Sequence, residues 1–580
     1  MSPRGREHQR PGDAAPVELV RARTVATPPY WLIAAAVLVT LPFLGKAPAI
    51  DEESYLWIAA HVDPKRPYDW VRTWPPYDGD AYAWAHPPLH VLWLKVCALV
   101  APVPGVALRA VAGLPWIVLF AYSVVRLAAR TCRHPDLAAA MWLASPIVLI
   151  GLHDTWMIDL PAVALATFAM AAYREGLVDE DQRWFVASGL ALGLAIETKY
   201  SMAVLVPVLA VHMVRLGPRP WLWVALLAVV VGVEGPLWAL YGRPHPWEVW
   251  IRRHDIEAGT LGARALGTLV RGALLALPLV LLRADPRILA GGLAVALVAV
   301  VGARPTEMPI VMSTMLVGLA GLGSALLVRA VVAVLRSPVK RRKGDRGDPL
   351  LLGGWVVATV LGVVFAHNYA SARYLLPAAA PLALILTRSG EEVPWGKGLL
   401  RASAALSGAV ALVLAVADYR FAAAGVEVAR AAIAAAGAVE GGISGAGGGG
   451  VEGVAPGGGA GAGGRFAGEW SFRGAMEAAG WARYRPDEVL PAGTWVVVAE
   501  NASAGTVDFT TLEPYRHVAS ADTFPVRVVD LDAGVGLYAE TLGPLPFGWG
   551  RGPLEGATVY RVRGVGGAGS GARSRRVRGD

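Results

Sequence analysis

Residues 220–240 read PWLWVALLAVVVGVEGPLWAL, with Glu234 the single charged residue among them. An apolar run of about 20 residues matches the roughly 30 Å hydrocarbon core of a bilayer, and a soluble core helix rarely needs one. Similar runs fill 31–44 and 349–366. Of 580 residues, 55% are hydrophobic and 17% charged, whereas a soluble domain carries about 25% charged residues. The fold class is therefore an α-helical polytopic membrane protein, and the several soluble domains that this length would otherwise suggest are excluded.

Working outward, thirteen apolar runs follow one another, the first near 30–48 and the last near 398–417. Charge orients them. The segments RLAARTCRH (126–134), YREGLVDEDQR (173–183), VRLGPRP (214–220), RADPR (283–287) and SPVKRRKGDRGD (337–348) are mostly basic. With the N-terminus inside, each falls on the cytoplasmic side, as the positive-inside rule requires. The stretch PLHVLWLKVCALVAP (88–102) is short, carries Lys95 and is bounded by prolines. Counting it as a span would invert every later basic loop, so it reads as an interfacial or re-entrant helix at the outer surface. Thirteen spans, N-terminus in and C-terminus out, is the topology expected.

The net charge of +8 lies largely in the N-terminus and short loops, where topology accounts for it without a nucleic-acid partner. Two cysteines, Cys97 and Cys132, give neither a disulfide framework nor zinc spacing. Residues 1–29 read as a basic cytoplasmic N-terminus, and 30–48 as a retained anchor rather than a cleaved signal. A membrane domain over 30–420, with a first outer loop at 49–107, precedes a Gly/Ala-rich linker at 421–468. Short β-type runs such as GTWVVVAE (493–500) and ATVYRV (557–562) indicate a small extracytoplasmic α/β or β domain at 469–566, before a basic tail at 567–580. Composition rich in Ala, Gly, Val and Arg suggests a bacterial source, hence a cytoplasmic membrane.

On this topology the outer face gathers five polar segments. Asp51-Glu52-Glu53 follows the first span; adjacent carboxylates there serve either as a general base with its support or as the cap of a helix. The loop YDWVRTWPPYDGDAYAWAHPPLH (68–90) is either an interfacial aromatic belt or a sugar-stacking wall. In HDTWMIDLPAV (153–163), Asp154 and Asp159 lie near a helix start, where an acid can cap the helix dipole. Charge at membrane depth nevertheless marks Asp159 as a site candidate. Lys199 in IETKYS (196–201) either snorkels or holds a phosphate at headgroup level. HNYASARYLLP (367–377) places Arg373 and Tyr374 at the outer start of the twelfth span.

In this order the five segments resemble the C-type membrane glycosyltransferases, in particular the superfamily of bacterial protein O-mannosyltransferases and lipid A aminoarabinose transferases. Asp51-Glu52 is similar to the family's acidic pair, and His86-Pro87-Pro88 to its Lys-Pro-Pro or His-Pro-Pro segment. Asp159-Leu160-Pro161 after Pro146 resembles its Asp-x-Pro, GLALGLAIETKYS its Thr-Lys stretch, and Tyr374-Leu375-Leu376-Pro377 its late Tyr-Leu-Leu-Pro. The resemblance covers roughly 30–420. The aminoarabinose transferases tend to carry lysine where this chain has His86.

The resemblance implies a sugar donor on a polyprenyl phosphate, bound from the outer leaflet among membrane lipids, and an acceptor glycan, lipid or protein. Asp51 would be the general base and Glu52 its support, with Asp159, or Asp154 as its rival, orienting the acceptor. Lys199 and His86 would neutralise the departing phosphate, and Arg373 and Tyr374 would help to fix it. No cofactor and no metal are expected, although carboxylates in such a site have the chemistry to bind a divalent ion. The rival reading is a secondary transporter, for which Glu234, Arg271 and Glu197 would be the intramembrane charges.

Overall fold

The computed structural model describes residues 27–70, 82, 86–252, 260–303, 309–336, 348–444 and 464–563. The N-terminal basic segment up to residue 26, most of the aromatic loop including Asp78 and Asp80, the basic loop 337–347, and the tail from 564 lie outside the described residues. Helices α1 (Trp31–Thr40), α2 (Glu52–His61), α3 (Leu89–Val100) and α4 (Val106–Thr131) come first. Next are α5 (Pro135–Leu143), α6 (Pro146–His153), α7 (Asp159–Asp179), α8 (Gln182–Thr198) and α9 (Leu205–Leu216). They are followed by α10 (Pro220–Tyr241), α11 (His245–Arg252), α12 (Leu261–Gly272), α13 (Leu281–Ala284) and α14 (Pro286–Ala303). Then come α15 (Ile310–Leu335), α16 (Asp348–Leu361), α17 (Leu376–Glu391), α18 (Gly396–Ser444) and α19 (Trp470–Ala478).

The molecule is mostly helical, with several apolar helices and a small strand-bearing region at its C-terminus. Among the described residues five helices are long and apolar enough to cross a bilayer, and a sixth is reached if α5 and α6 count as one bent span. Thirteen is not reached by this measure because several apolar runs are built from shorter pieces. Ser145 shows one cause: the following Pro146 forces it out of the helical region to ψ 127°, and the run over 136–152 bends by 65° there. The stretch 88–102 forms α3, 12 residues long. At 1.5 Å per residue that is about 18 Å, too short to span a bilayer. Its Lys95 ammonium donates to the Val62 carbonyl at 2.8 Å.

One boundary differs from the sequence reading. The first part of the stretch read as a linker, 421–444, continues α18, a helix of 49 residues. Its composition explains why: FAAAGVEVARAAIAAA (421–436) is dominated by alanine, the strongest helix former.

Beyond it, strands β1 (Arg465–Ala467), β2 (Ala482–Arg483), β3 (Trp495–Ala499) and β4 (Leu512–Ala519) join β9 (Gly556–Val562) in one sheet of order β2-β1-β3-β9-β4. β1 runs parallel to β2 and β3, whereas β9 is antiparallel to β3 and β4. Small two-stranded ladders pair β5 (Val526–Arg527) with β8 (Gly548–Trp549), and β6 (Val529–Asp530) with β7 (Val535–Gly536). Of the two forms expected for this region, the α/β one is found. Val428, Ala429 and Ala432 of α18 pack with Phe466, Phe472, Val497 and Val559, so the sheet is seated on that helix.

The main core surrounds α7, whose residues Asp159–Ala164 and Ala169–Gly176 are all buried. Placing Asp159 at the first turn of this enclosed helix takes it out of bulk water. Close packing of the neighbouring helices depends on small residues. A Cβ on Gly189 of α8 would collide with the Leu222 carbonyl of α10. We therefore expect Gly189→Ala to lower stability by about 1–3 kcal/mol, seen as a reduced melting temperature in detergent.

Candidate active site

The turn after the first apolar run sets the site. Ile50 adopts φ 55°, a left-handed conformation that a β-branched residue tolerates only under constraint. The constraint is visible: Ala49 N–H donates to Glu52 Oε2 at 3.1 Å, and Glu52 N–H to the Ala49 carbonyl at 3.0 Å. Asp51 then stands at the N-cap position of α2 without a side-chain capping bond. Its side chain is 35% exposed, and Oδ2 pairs with Arg373 Nη1 at 2.9 Å.

Glu52 is fully buried and faces the opposite way. Arg109 of α4 grips it with two parallel bonds, Nη1 to Oε1 at 2.8 Å and Nη2 to Oε2 at 2.9 Å. Trp156 N–H adds a third donor at 3.2 Å. Burial pushes the Glu52 carboxyl up, but the guanidinium outweighs it and holds the group below its ordinary value of 4.5. Both Glu52 oxygens are thus engaged, and the side chain has no solvent access.

A second pair stands within electrostatic reach of the first. Lys199, at the C-terminal end of α8, binds Asp159 Oδ1 at 2.5 Å; Asp159 Oδ2 is buried without a hydrogen-bond partner. Burial is the largest influence on Lys199 and lowers its pKa, Arg373 lowers it further, and Asp159 only partly offsets them. The Lys199 ammonium also lies 4.5 Å over the Tyr374 ring. Tyr374 donates to Tyr369 Oη at 2.9 Å, and Arg373 Nη2 donates to the same oxygen at 3.3 Å. Asp51, Asp159, Lys199, Arg373 and Tyr374 are thus brought together from four separate parts of the chain.

His86 adjoins this group and has an open surface, yet crowding by protein, first, and the Lys199 charge, second, push its ring down to about 3. Both influences disfavour a proton on the ring, whereas Lys199 and Arg373 are the cations paired with Asp159 and Asp51 in the same group.

Asp154 pairs with Lys46, which simultaneously pairs with Asp418, in a cluster with no more than 11% exposure of any of the three side chains. Ligand atoms of His153, Asp154 and Asp418 lie within 4.8 Å of one another, as a metal site would need. The Lys46 ammonium bridges both carboxylates, so the cation position is already filled and the residues do not fit a metal. Asp154 is thus paired with Lys46, apart from the Asp159–Lys199 pair.

Sequence reasoning missed Arg109, Lys46, Asp418 and Tyr369. The first three carried a usable signal, since each is a charge in or at the end of an apolar run. An apolar crevice of about 300 Å³ opens beside the site, lined among others by His90, Trp93, Trp116, Pro161, Leu194 and Thr198. It reaches Pro161 and Thr198, which flank the Asp159–Lys199 pair.

Removing one partner of the buried Glu52–Arg109 pair should destabilise the protein by about 3–5 kcal/mol. Arg109→Met is expected to show this loss in thermal unfolding, and Arg109→Met with Glu52→Gln to regain most of it. Because the Glu52 carboxyl is held below 4.5, the pair's contribution is complete above that pH and is lost as pH falls through the lowered value.

Among solved structures, ArnT from Cupriavidus metallidurans bound to undecaprenyl phosphate is 18% identical with a TM-score of 0.41, over 69% of this chain and 71% of that one. The apo state of the same protein gives 17% and 0.38 over 81% and 92%. The arabinofuranosyltransferase AftD from Mycobacteria gives 14% and 0.38; it covers 92% of this chain, which spans 40% of its length. No curated protein matches the sequence. Residues 85–238, which carry His86, Asp159 and Lys199, match the family described as dolichyl-phosphate-mannose-protein mannosyltransferase, and the likeness to that glycosyltransferase superfamily is met over this segment.

Proposed function

We propose that this protein is a C-type membrane glycosyltransferase that moves a sugar from a polyprenyl-phosphate donor to an acceptor at the outer face of a bacterial cytoplasmic membrane. In this reading the chain crosses thirteen times, with its C-terminal domain outside. The observation that carries it is the double pairing of Asp51 with Arg373 and Asp159 with Lys199 at the end of an apolar crevice. A bare carboxylate pair would suit many hydrolases. Two cations held beside two carboxylates, next to a slot for an isoprenoid tail, suit a phosphate-linked amphiphile.

The donor phosphate competes with both carboxylates for the cations. As Arg373 and Lys199 turn to the phosphate, Asp51 is released to accept the proton of an acceptor hydroxyl or amine. The acceptor atom bonds to the anomeric carbon, the bond from that carbon to the phosphate oxygen breaks, and its electrons stay on the leaving phosphate. Lys199 and Arg373 stabilise that charge in a site largely shielded from water. Tyr374 supports both cations through its ring, Asp159 orients the acceptor through its free oxygen, and His86 contributes a neutral hydrogen bond. No metal takes part. Of the three intramembrane charges on which a transporter reading would draw, Glu234, Arg271 and Glu197, Arg271 is taken up by carbonyls of the C-terminal domain.

Purified protein should release sugar from a panel of polyprenyl-phosphate sugars, and Asp51→Asn should fold, bind donor and lose at least about a hundredfold in turnover; equal turnover by this variant refutes the assignment of the base. Activity should persist in EDTA, and its loss with recovery on added magnesium or manganese would overturn the metal-free mechanism. Because Lys199 must be charged to hold phosphate and its pKa lies below 10.5, activity should fall as pH rises through a value lower than that of free lysine. A Lys199→Arg variant should shift this alkaline limb upward.

A further inference from the structure

The C-terminal domain is more than an appendage to the membrane part. Its loop around β7, residues 536–543, enters between α12 and the segment His367–Arg373 that delivers Arg373. Arg271 of α12 is fully buried and donates to the carbonyls of Leu537 at 3.3 Å and Gly543 at 2.9 Å, and also to that of Gly536. Thus the loop is held by its backbone, whatever its side chains are.

From that position it grips the delivery segment. Glu540 N–H donates to the Ala370 carbonyl at 3.2 Å, and the Glu540 carboxylate accepts the Ala370 N–H in return. Ala372 N–H donates to the Leu537 carbonyl at 3.3 Å. On the near side Arg264 Nη1 donates to the His367 carbonyl at 2.6 Å. Residues 367–371 are otherwise irregular, and these bonds fix their path into the 3₁₀ turn Ala372–Leu375 that carries Arg373. Arg373 comes one residue after the last of them, and its guanidinium meets Asp51. The same domain touches the other half of the site too. Tyr538 Oη donates to Asp418, and Arg473 of α19 lies 3.8 Å from Glu53, two residues beyond Asp51.

We propose that the 536–543 loop of the C-terminal domain, through Glu540, is a positioning element for donor binding: it sets the backbone of Ala370–Ala372 so that Arg373 faces the donor phosphate. Glu540 touches neither substrate nor reacting atoms and acts through Arg373. The inference rests on the reading of Arg373 as a phosphate ligand.

The test compares full-length wild type, Glu540→Ala, Glu540→Asp, Glu540→Gln and Arg373→Ala in detergent, with undecaprenyl phosphate as the binding probe and donor kinetics as the second readout. Removing a charge-assisted hydrogen bond should weaken binding by about tenfold in Glu540→Ala. The donor KM should rise correspondingly with little change in kcat. Glu540→Asp, withdrawn by one methylene, should behave similarly and carries the test if the alanine variant does not fold. Glu540→Gln keeps an acceptor oxygen and should restore binding. If Arg373→Ala loses binding while Glu540→Ala and Glu540→Asp bind as wild type does, this inference is overturned and the functional reading stands. A glutamine variant as impaired as the alanine one, with kcat and melting temperature falling together, likewise reduces Glu540 to a structural role. Wild type that binds no polyprenyl phosphate defeats the functional reading, and this inference with it.

Discussion

Burying a carboxylate and a guanidinium away from water costs several kcal/mol per ion, and their attraction repays this only with good geometry and with every remaining donor and acceptor engaged. Glu52 and Arg109 come close to that condition. Besides the two bonds between them, Arg109 donates to the carbonyls of Lys46 at 3.0 Å and His153 at 3.2 Å, and its guanidinium lies 3.8 Å over the Trp156 ring. Four separate stretches meet there: the exit of the first apolar run, the start of α2, α4, and the turn between α6 and α7. Two functional consequences follow from this one contact. Asp51 is held at the mouth of the site by its neighbour, and the strained turn at Ile50 is kept in place.

Two charge clusters flank that pair, and their difference in exposure separates support from chemistry. In the Lys46–Asp154–Asp418 cluster one cation bridges two carboxylates, and Tyr538 donates to the second of them. Its single cation is already shared between two anions. The Asp51–Arg373 and Asp159–Lys199 pairs match two anions with two cations, with Asp51 partly open to solvent and one oxygen of Asp159 unengaged. On the proposed function, an incoming phosphate would change the partners of the second group. Both groups use the same residue types; what distinguishes them is the count of partners.

Much of this was readable from the chain and some was not, for physical reasons. Asp51, Asp159, Lys199, Arg373 and Tyr374 stand at the ends of apolar runs, where a charge is conspicuous, and short motifs kept their order. Choosing Asp159 over Asp154 required knowing which cation each faces, and no spacing rule reports that. His86 read as a candidate cation because its type permits it; that crowding and the Lys199 charge act against a proton there depends on neighbours that the chain does not announce. Apolar runs disclosed a polytopic protein but not the breaks inside them, since a serine before a proline ends a helix without lowering hydropathy. Glycine-rich composition near 436–464 hid the fact that its alanine-rich approach is helical. The loop at 536–543 carried no motif because its contacts are the carbonyls that Arg271 reaches and one glutamate, Glu540, whose partner Ala370 is 170 residues away in the chain.

The 49-residue helix α18 gives the molecule a rigid strut. At 1.5 Å per residue it is about 74 Å long, more than twice the thickness of the roughly 30 Å hydrocarbon layer. Its first part is apolar enough to cross that layer, and its far part carries the sheet of the C-terminal domain. A membrane of different thickness changes the tilt of such a strut at modest cost. The sheet seated on the far part of the strut would follow such a tilt, because Val428, Ala429 and Ala432 are packed directly into its core.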